Sequence, residues 1–157
     1  MVNNFPFYKQ ETPFTCSLAC LRMILEAIGK KFSEIELSKI VEFKPLKGFS
    51  PRMMEKLLEI ANIDYEYHFD SSLQEIEKNV ENKLYPVVLV NPSILYGISE
   101  EEHGHYIVIK DITEEKIIIN DPDQEYGGEN KEINLKRFGE AWESRHKLIF
   151  IIKGERG

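Results

Sequence analysis

The chain has 157 residues, 42% of them hydrophobic, with 20 Lys and Arg against 27 Asp and Glu for a formal charge of −7. That is enough apolar material for one core and too little clustered positive charge for a phosphate-backbone binder, and no stretch approaches the roughly 20 apolar residues that span a bilayer. With only two cysteines and no cationic, apolar leader, residues 1–157 read as one cytoplasmic domain that is no disulfide scaffold, binds no nucleic acid and has no membrane span.

Residues 3–10 (NNFPFYKQ) read as extended, because Phe5 and Phe7 alternate with Pro6 and Tyr8. A helix follows. Cys20, Met23, Ile24, Ala27 and Ile28 recur at three- and four-residue steps and Leu21 and Leu25 widen the stripe, which is the period of a buried α-helix. Pro13 disfavours helix at Thr12, Thr15 suits the N-cap and Gly29 suits the left-handed position past the last turn, so the helix is expected to begin at about Cys16. Ser33 and Glu36 form a capping box for a short second helix with Ile35, Leu37, Ile40 and Val41 as its apolar residues. After a loop over residues 44–49, Ser50 as N-cap and Pro51 as first helical residue open a third helix that buries Met54, Leu57, Leu58 and Ala61.

Strand signals dominate the remainder. Residues 63–69 (IDYEYHF) alternate and are rich in aromatics, and Ser71 or Ser72 caps a helix that runs to about Lys83. Residues 85–90 (YPVVLV) form a continuous apolar strand, expected in the middle of a sheet, with Pro86 near its start where a missing N–H is tolerated. Residues 91–103 read as a polar loop. Residues 105–111 (HYIVIKD) and 116–120 (KIIIN) make a hairpin around Thr113, Glu114 and Glu115, and residues 121–131 read as a Gly-rich, acidic loop. Asn134 or a neighbour opens a helix with Leu135, Phe138 and Trp142, and residues 147–152 (KLIFII) close the sheet. Helices first and mostly antiparallel strands after is an α+β order.

Cys16 is where chemistry is expected. A free cysteine is ordinarily a small buried hydrophobe, and Cys20, inside the apolar stripe, fits that role. Cys16 instead falls in the first turn of the helix, where unpaired N–H groups and the positive end of the dipole favour a thiolate and can receive an oxyanion. Acyl transfer by a thiolate also needs a base, a group to orient that base, and a second oxyanion donor. His105, at the start of a strong strand, is the candidate base; His68, His103 and His146 read as ordinary surface or core histidines. Asp121 ends the partner strand and returns to the same end of the sheet. An odd-numbered turn would pair Ile112 with Lys116, set Asp121 opposite Ile107 and put it on the face of His105, whereas an even turn without a bulge would separate them. Gln10 carries the kind of amide an oxyanion hole uses.

Gln10, five residues, Cys16 and then LACLRMIL, followed far downstream by His105-Tyr-Ile-Val-Ile and Asn120-Asp121-Pro122, resembles the papain-like cysteine peptidases of the bacteriocin-processing, double-glycine leader peptidase type, in stand-alone form. Thr15 and Ser17 stand where members often carry Asp and Gly. The resemblance implies a papain-like fold, its N-terminal helical half packed on a mostly antiparallel sheet. It also implies Cys16 as nucleophile, His105 as base, Asp121 as its orienting group and Gln10 in the oxyanion hole, acting on a peptide or protein substrate without metal or organic cofactor. Nothing in the residues sets an oligomeric state. Three other readings use the same residues: transfer of the acyl group to an amine, a binding module on the same fold, and a zinc site from Cys16, Cys20, His103 and His105.

Overall fold

The computed structural model describes residues 5–42, 50–98 and 104–157. Its strands are β1 (Ile63–His68), β2 (Val87–Val90), β3 (His105–Ile112), β4 (Lys116–Asp121), β5 (Gly128–Asn134) and β6 (Ile149–Glu155). They form one six-stranded sheet in the order β1-β6-β2-β3-β4-β5, every neighbouring pair antiparallel. The helices are α1 (Cys16–Ala27), α2 (Glu34–Ile40), α3 (Pro51–Ile60), α4 (Leu73–Glu81), α5 (Pro92–Tyr96) and α6 (Leu135–Glu143). The architecture is the expected α+β one, with helices on both faces of the sheet.

That double cover explains why the central strands lack polar alternation. On one face, Leu18, Leu21, Met23 and Leu25 of α1 join Met54, Leu57 and Leu58 of α3 against Val87, Tyr106, Val108 and Phe150. On the other, Ile76, Leu95, Phe138 and Trp142 cover Val88, Val90, Ile107, Ile109, Ile117 and Ile119. Each fully buried Leu, Ile or Phe contributes about 1.5–3 kcal/mol, so these two layers outweigh every surface ion pair in the fold. The Trp142 indole N–H donates to Leu148 O at 2.9 Å, tying α6 to the residue that leads into β6.

Local signals set the helix starts. Ser33 and Glu36 make the capping box of α2, Ser50 caps α3 ahead of Pro51, Ser72 caps α4 and Asn134 caps α6. Thr15 precedes α1 but makes no side-chain cap bond.

Five expectations are corrected. Ala27 and Ile28 leave the core in the last turn before Gly29, where φ is +93°. Ile35 is 63% exposed, because the buried side of α2 carries Glu34, Leu37 and the following Val41, and Ile35 lies a hundred degrees round from it. The segment read as a polar loop after β2 contains α5: the Asn91 side chain accepts Ser93 N–H at 2.9 Å, Pro92 is the first helical residue, and Gly97 at φ +68° ends the helix. Asn91 and Pro92 at the head of that expected loop serve as N-cap and N1. Part of the supposed acidic loop is β5, a polar edge strand whose Lys and Glu side chains keep its free edge soluble.

The fifth correction concerns register. Ile112 pairs with Ile117, so the hairpin loop is even-numbered, not odd. A bulge at Lys110 then shifts the ladder, Ile109 pairs with Ile119 and Val108 with Asn120, and one further step brings Asp121 alongside Ile107. Asp121 therefore reaches the face expected of it by a different route. The loop expected over residues 44–49 lies outside the described residues.

Candidate active site

Five elements converge at one end of the sheet. β2 ends there at Val90 opposite His105, β3 begins with His105, and β4 ends with Asp121. The first residue of α1, Cys16, lies beside them, because α1 packs along β3. α5 leaves β2 at the same end and finishes with Tyr96.

His105 Nε2–H donates to Asp121 Oδ1 at 2.6 Å, which leaves Nδ1 as the ring nitrogen free to face the neighbouring Cys16 side chain. Asp121 has no exposed surface and His105 is 8% exposed, whereas Cys16 is half-buried, so the thiol is the accessible end of a sealed chain of groups. Asp121 Oδ1 also accepts Asp123 N–H at 2.9 Å, and Oδ2 accepts the Tyr96 hydroxyl. Gly127 makes this possible: a Cβ there would lie 2.3 Å from Asp121 O and 2.4 Å from Asp123 O, so only glycine lets the loop close on the carboxylate.

The electrostatics of the pair agree from both sides. Burial pushes the His105 imidazole down, but the Asp121 carboxylate, its hydrogen bond and Cys16 more than reverse this and hold it well above the ordinary histidine range. Burial pushes Asp121 up, and His105, then Tyr96 and Asp123 N–H, bring it below the ordinary carboxylate range. Magnitudes explain the outcome. Burying a carboxylate costs several kcal/mol, and three donors at about 1.5–3 kcal/mol each match or exceed that. Burial and the neighbouring Asp121 push the Tyr96 hydroxyl far up, so it stays a donor.

Gln10, 5% exposed, is joined to the loop that follows Asp121: its N–H donates to Pro122 O at 2.8 Å and its carbonyl accepts Gln124 Nε2 at 3.0 Å. Its side-chain amide donates to Thr12 O at 2.9 Å, and Oε1 has no partner among the described residues. The structure thus brings Cys16, His105 and Asp121 together and anchors the backbone of Gln10 beside them, without a hydrogen bond from its amide to the thiol.

Cys20 is not in this cluster. Its buried thiol donates to Tyr106 O at 3.3 Å, and burial, with Cys16, Asp121 and Glu34 nearby, holds its pKa well above the ordinary thiol value. His68 pairs with Glu75 at 2.7 Å and His146 meets the edge of Phe69. His103 lies outside the described residues. Sequence reasoning missed Tyr96. Its ring stacks on Tyr126 with centroids 5.8 Å apart, beneath Lys131 Nζ at 4.2 Å. Its signal was the Asn91-Pro92 start and Gly97 stop of a helix only five residues long.

The Peptidase_C39 like family model matches residues 2–150. Among solved structures, the chain is similar to a protein of Bacillus anthracis described as a C39-like peptidase, with 16% identity over 99% of this chain and 98% of that one at a TM-score of 0.77. It is similar to the peptidase domain of Streptococcus ComA, a bi-functional ABC transporter involved in quorum sensing, with 15% identity, 98% and 100% coverage and a TM-score of 0.77. A double glycine motif protease from an AMS/PCAT transporter, solved with its leader peptide, gives 16% identity, 95% and 91% coverage and a TM-score of 0.71. No curated protein matches the sequence.

Proposed function

This chain belongs to the Peptidase_C39 like family and is a cysteine peptidase, and we propose that Cys16 is its nucleophile, His105 its base, Asp121 the group that orients and charges the base, and Gln10 a donor to the oxyanion. The observation that carries this is the 2.6 Å contact of His105 Nε2 with buried Asp121, which leaves Nδ1 for Cys16. Cys16 sulfur, its proton held by His105, attacks the carbonyl carbon of a peptide bond. The carbonyl oxygen becomes an oxyanion, received by the Cys16 N–H at the mouth of α1 and by the Gln10 amide. As the C–N bond breaks, His105 gives its proton to the leaving amine and a thioester remains on Cys16. A water molecule, deprotonated by His105, then attacks the thioester, the acid leaves and the thiol is restored.

A peptide is the substrate class proposed, in keeping with the leader peptide held by one similar structure. Because both apolar layers share one sheet, we also propose that residues 1–157 act as one peptidase domain. Among the described residues no helix is long and apolar enough to cross a membrane.

The test is iodoacetamide alkylation at neutral pH, mapped by peptide mass spectrometry, in the wild type, His105→Ala and Cys16→Ala. Expected are fast modification of Cys16, slow modification in His105→Ala, and an untouched Cys20 until denaturant is added. Equal rates at Cys16 in wild type and His105→Ala would overturn the assignment.

A further inference from the structure

An amide that is to meet an oxyanion must be held still, yet Gln10 belongs to a segment, residues 10–15, with neither helix nor strand. One side of that segment is pinned by the bonds of the Gln10 backbone to Pro122 and Gln124. The other side meets a buried acid. Glu34, the first residue of α2, is 2% exposed, its Oε2 accepts Glu11 N–H at 2.9 Å, and its buried Oε1 has no partner among the described residues. Between those two points, Thr12 N–H donates to Thr15 Oγ1 at 3.1 Å and Thr12 O accepts Gln10 Nε2 at 2.9 Å.

Helix capping gives no reason for this burial. Ser33 and Glu36 already complete the capping box of α2, and a second first-turn acid would serve the dipole equally well in solvent. Burial pushes the Glu34 carboxyl up, Thr15 and Glu11 N–H bring it back in part, and the fold keeps it inside all the same. The group that it holds, Glu11 N–H, belongs to the turn that carries the Thr12 carbonyl, which accepts both Gln10 Nε2 at 2.9 Å and the Thr15 hydroxyl at 3.2 Å.

We infer that Glu34 is a positioning residue for the oxyanion hole: by holding Glu11 N–H it fixes the turn whose Thr12 carbonyl aims the Gln10 amide. Glu34 touches no reacting atom. The inference rests on the role given to Gln10 above and deepens it.

Two probes of one sulfur separate the roles. Acylation of Cys16 by p-nitrophenyl acetate passes through a tetrahedral oxyanion, whereas alkylation by iodoacetamide displaces iodide at a saturated carbon and forms none. Gln10→Ala is expected to slow acylation about 10²–10³-fold, the cost of losing one oxyanion donor, with alkylation unchanged. Glu34→Ala is expected to slow acylation about 10–100-fold, again with alkylation unchanged, and to add nothing in a Gln10→Ala background. Glu34→Gln, which keeps an acceptor for Glu11 N–H, retains most of the rate, and Glu34→Asp, which keeps the charge but loses the reach, does not. If far-UV circular dichroism finds Glu34→Ala unfolded, the Gln and Asp variants decide between them. A normal acylation rate in Gln10→Ala overturns the oxyanion assignment and this inference with it. A slowed Gln10→Ala beside wild-type rates in Glu34→Ala or Glu34→Asp, or losses that add in the double variant, overturns the inference alone.

Discussion

The Tyr96 hydroxyl donates to Asp121 Oδ2, so the carboxylate that faces His105 is gripped on both oxygens by the residues of its own site. Tyr96→Phe removes that donor and leaves Oδ2 buried without it. The expected cost is about 1–3 kcal/mol of stability, and roughly a tenfold loss of turnover as Asp121 gains freedom to swing away from His105. Because Tyr96 helps hold Asp121 below its ordinary range, the acid limb of the pH–rate profile should move to higher pH in the variant. Thermal unfolding and a pH profile beside the wild type check both; an unmoved acid limb would mean that Tyr96 only fills space.

Stability should carry the signature of the His105 and Asp121 pair. Their unfolded values are about 6.5 and 3.9, His105 is raised on folding and Asp121 is lowered. The stabilisation linked to His105 is full below about 6.5 and lost as pH rises through its higher folded value; that linked to Asp121 is full above about 3.9 and lost as pH falls through its lower folded value. The gap in Tm between wild type and Asp121→Asn is therefore expected to be widest from about pH 4 to 6.5 and to shrink on either side. In the same variant turnover should fall about 10²–10⁴-fold, with its alkaline limb moved to lower pH, because the imidazolium has lost its counter-charge. A Tm gap that is flat across this range would argue that the pair is not ionic.

Register gives a third prediction. The bulge at Lys110 absorbs one residue of β3 beyond the even hairpin loop, so neither that residue nor its side chain is needed to set Asp121 alongside Ile107. Deleting Lys110 removes the unpaired residue and lets Asp111 follow Ile109 in one regular ladder, with Ile109 still opposite Ile119 and Asp121 still alongside Ile107, so the contact with His105 and the fast alkylation of Cys16 should survive. Lys110→Ala keeps the count. It loses the packing of the ammonium over Phe5, 4.4 Å away, and the bond to Asn130, with an expected cost of about 0.5–3 kcal/mol and rapid alkylation retained. Loss of fast alkylation in the deletion beside its retention in Lys110→Ala would mean that the site needs the bulge itself and not only the register.

These residues also mark what a sequence can and cannot reveal. The start of α1 at Cys16 was legible because Pro13, Thr15 and the apolar period act within one turn of chain. His105 and Asp121 were legible as a pair because each stands at a strand end and a hairpin must bring such ends together. The bulge was not, since an extra residue in HYIVIKD leaves no mark when both faces of the strand are apolar and Lys110 itself is 3% exposed. Tyr96 was missed because a five-residue helix has no usable period, and its partner Asp121 is 25 residues away. β5 was missed because an edge strand with one buried residue, Ile133, reads as polar loop. Local chemistry is written locally; the contacts that complete the site are made by segments distant along the chain.

β6 pairs with β1 on one side and β2 on the other, so the sheet is built around a strand that the ribosome delivers after the other five. Cys16, His105 and Asp121 have all been synthesised by then, but β1 still has no neighbour and β2 has an open flank. A nascent or prematurely terminated chain would hold the whole set of proposed catalytic groups without the platform that lines them up, so it is expected to be inert. Assembly of the site is therefore expected to wait for the sixth strand, which must be made before the sheet can close.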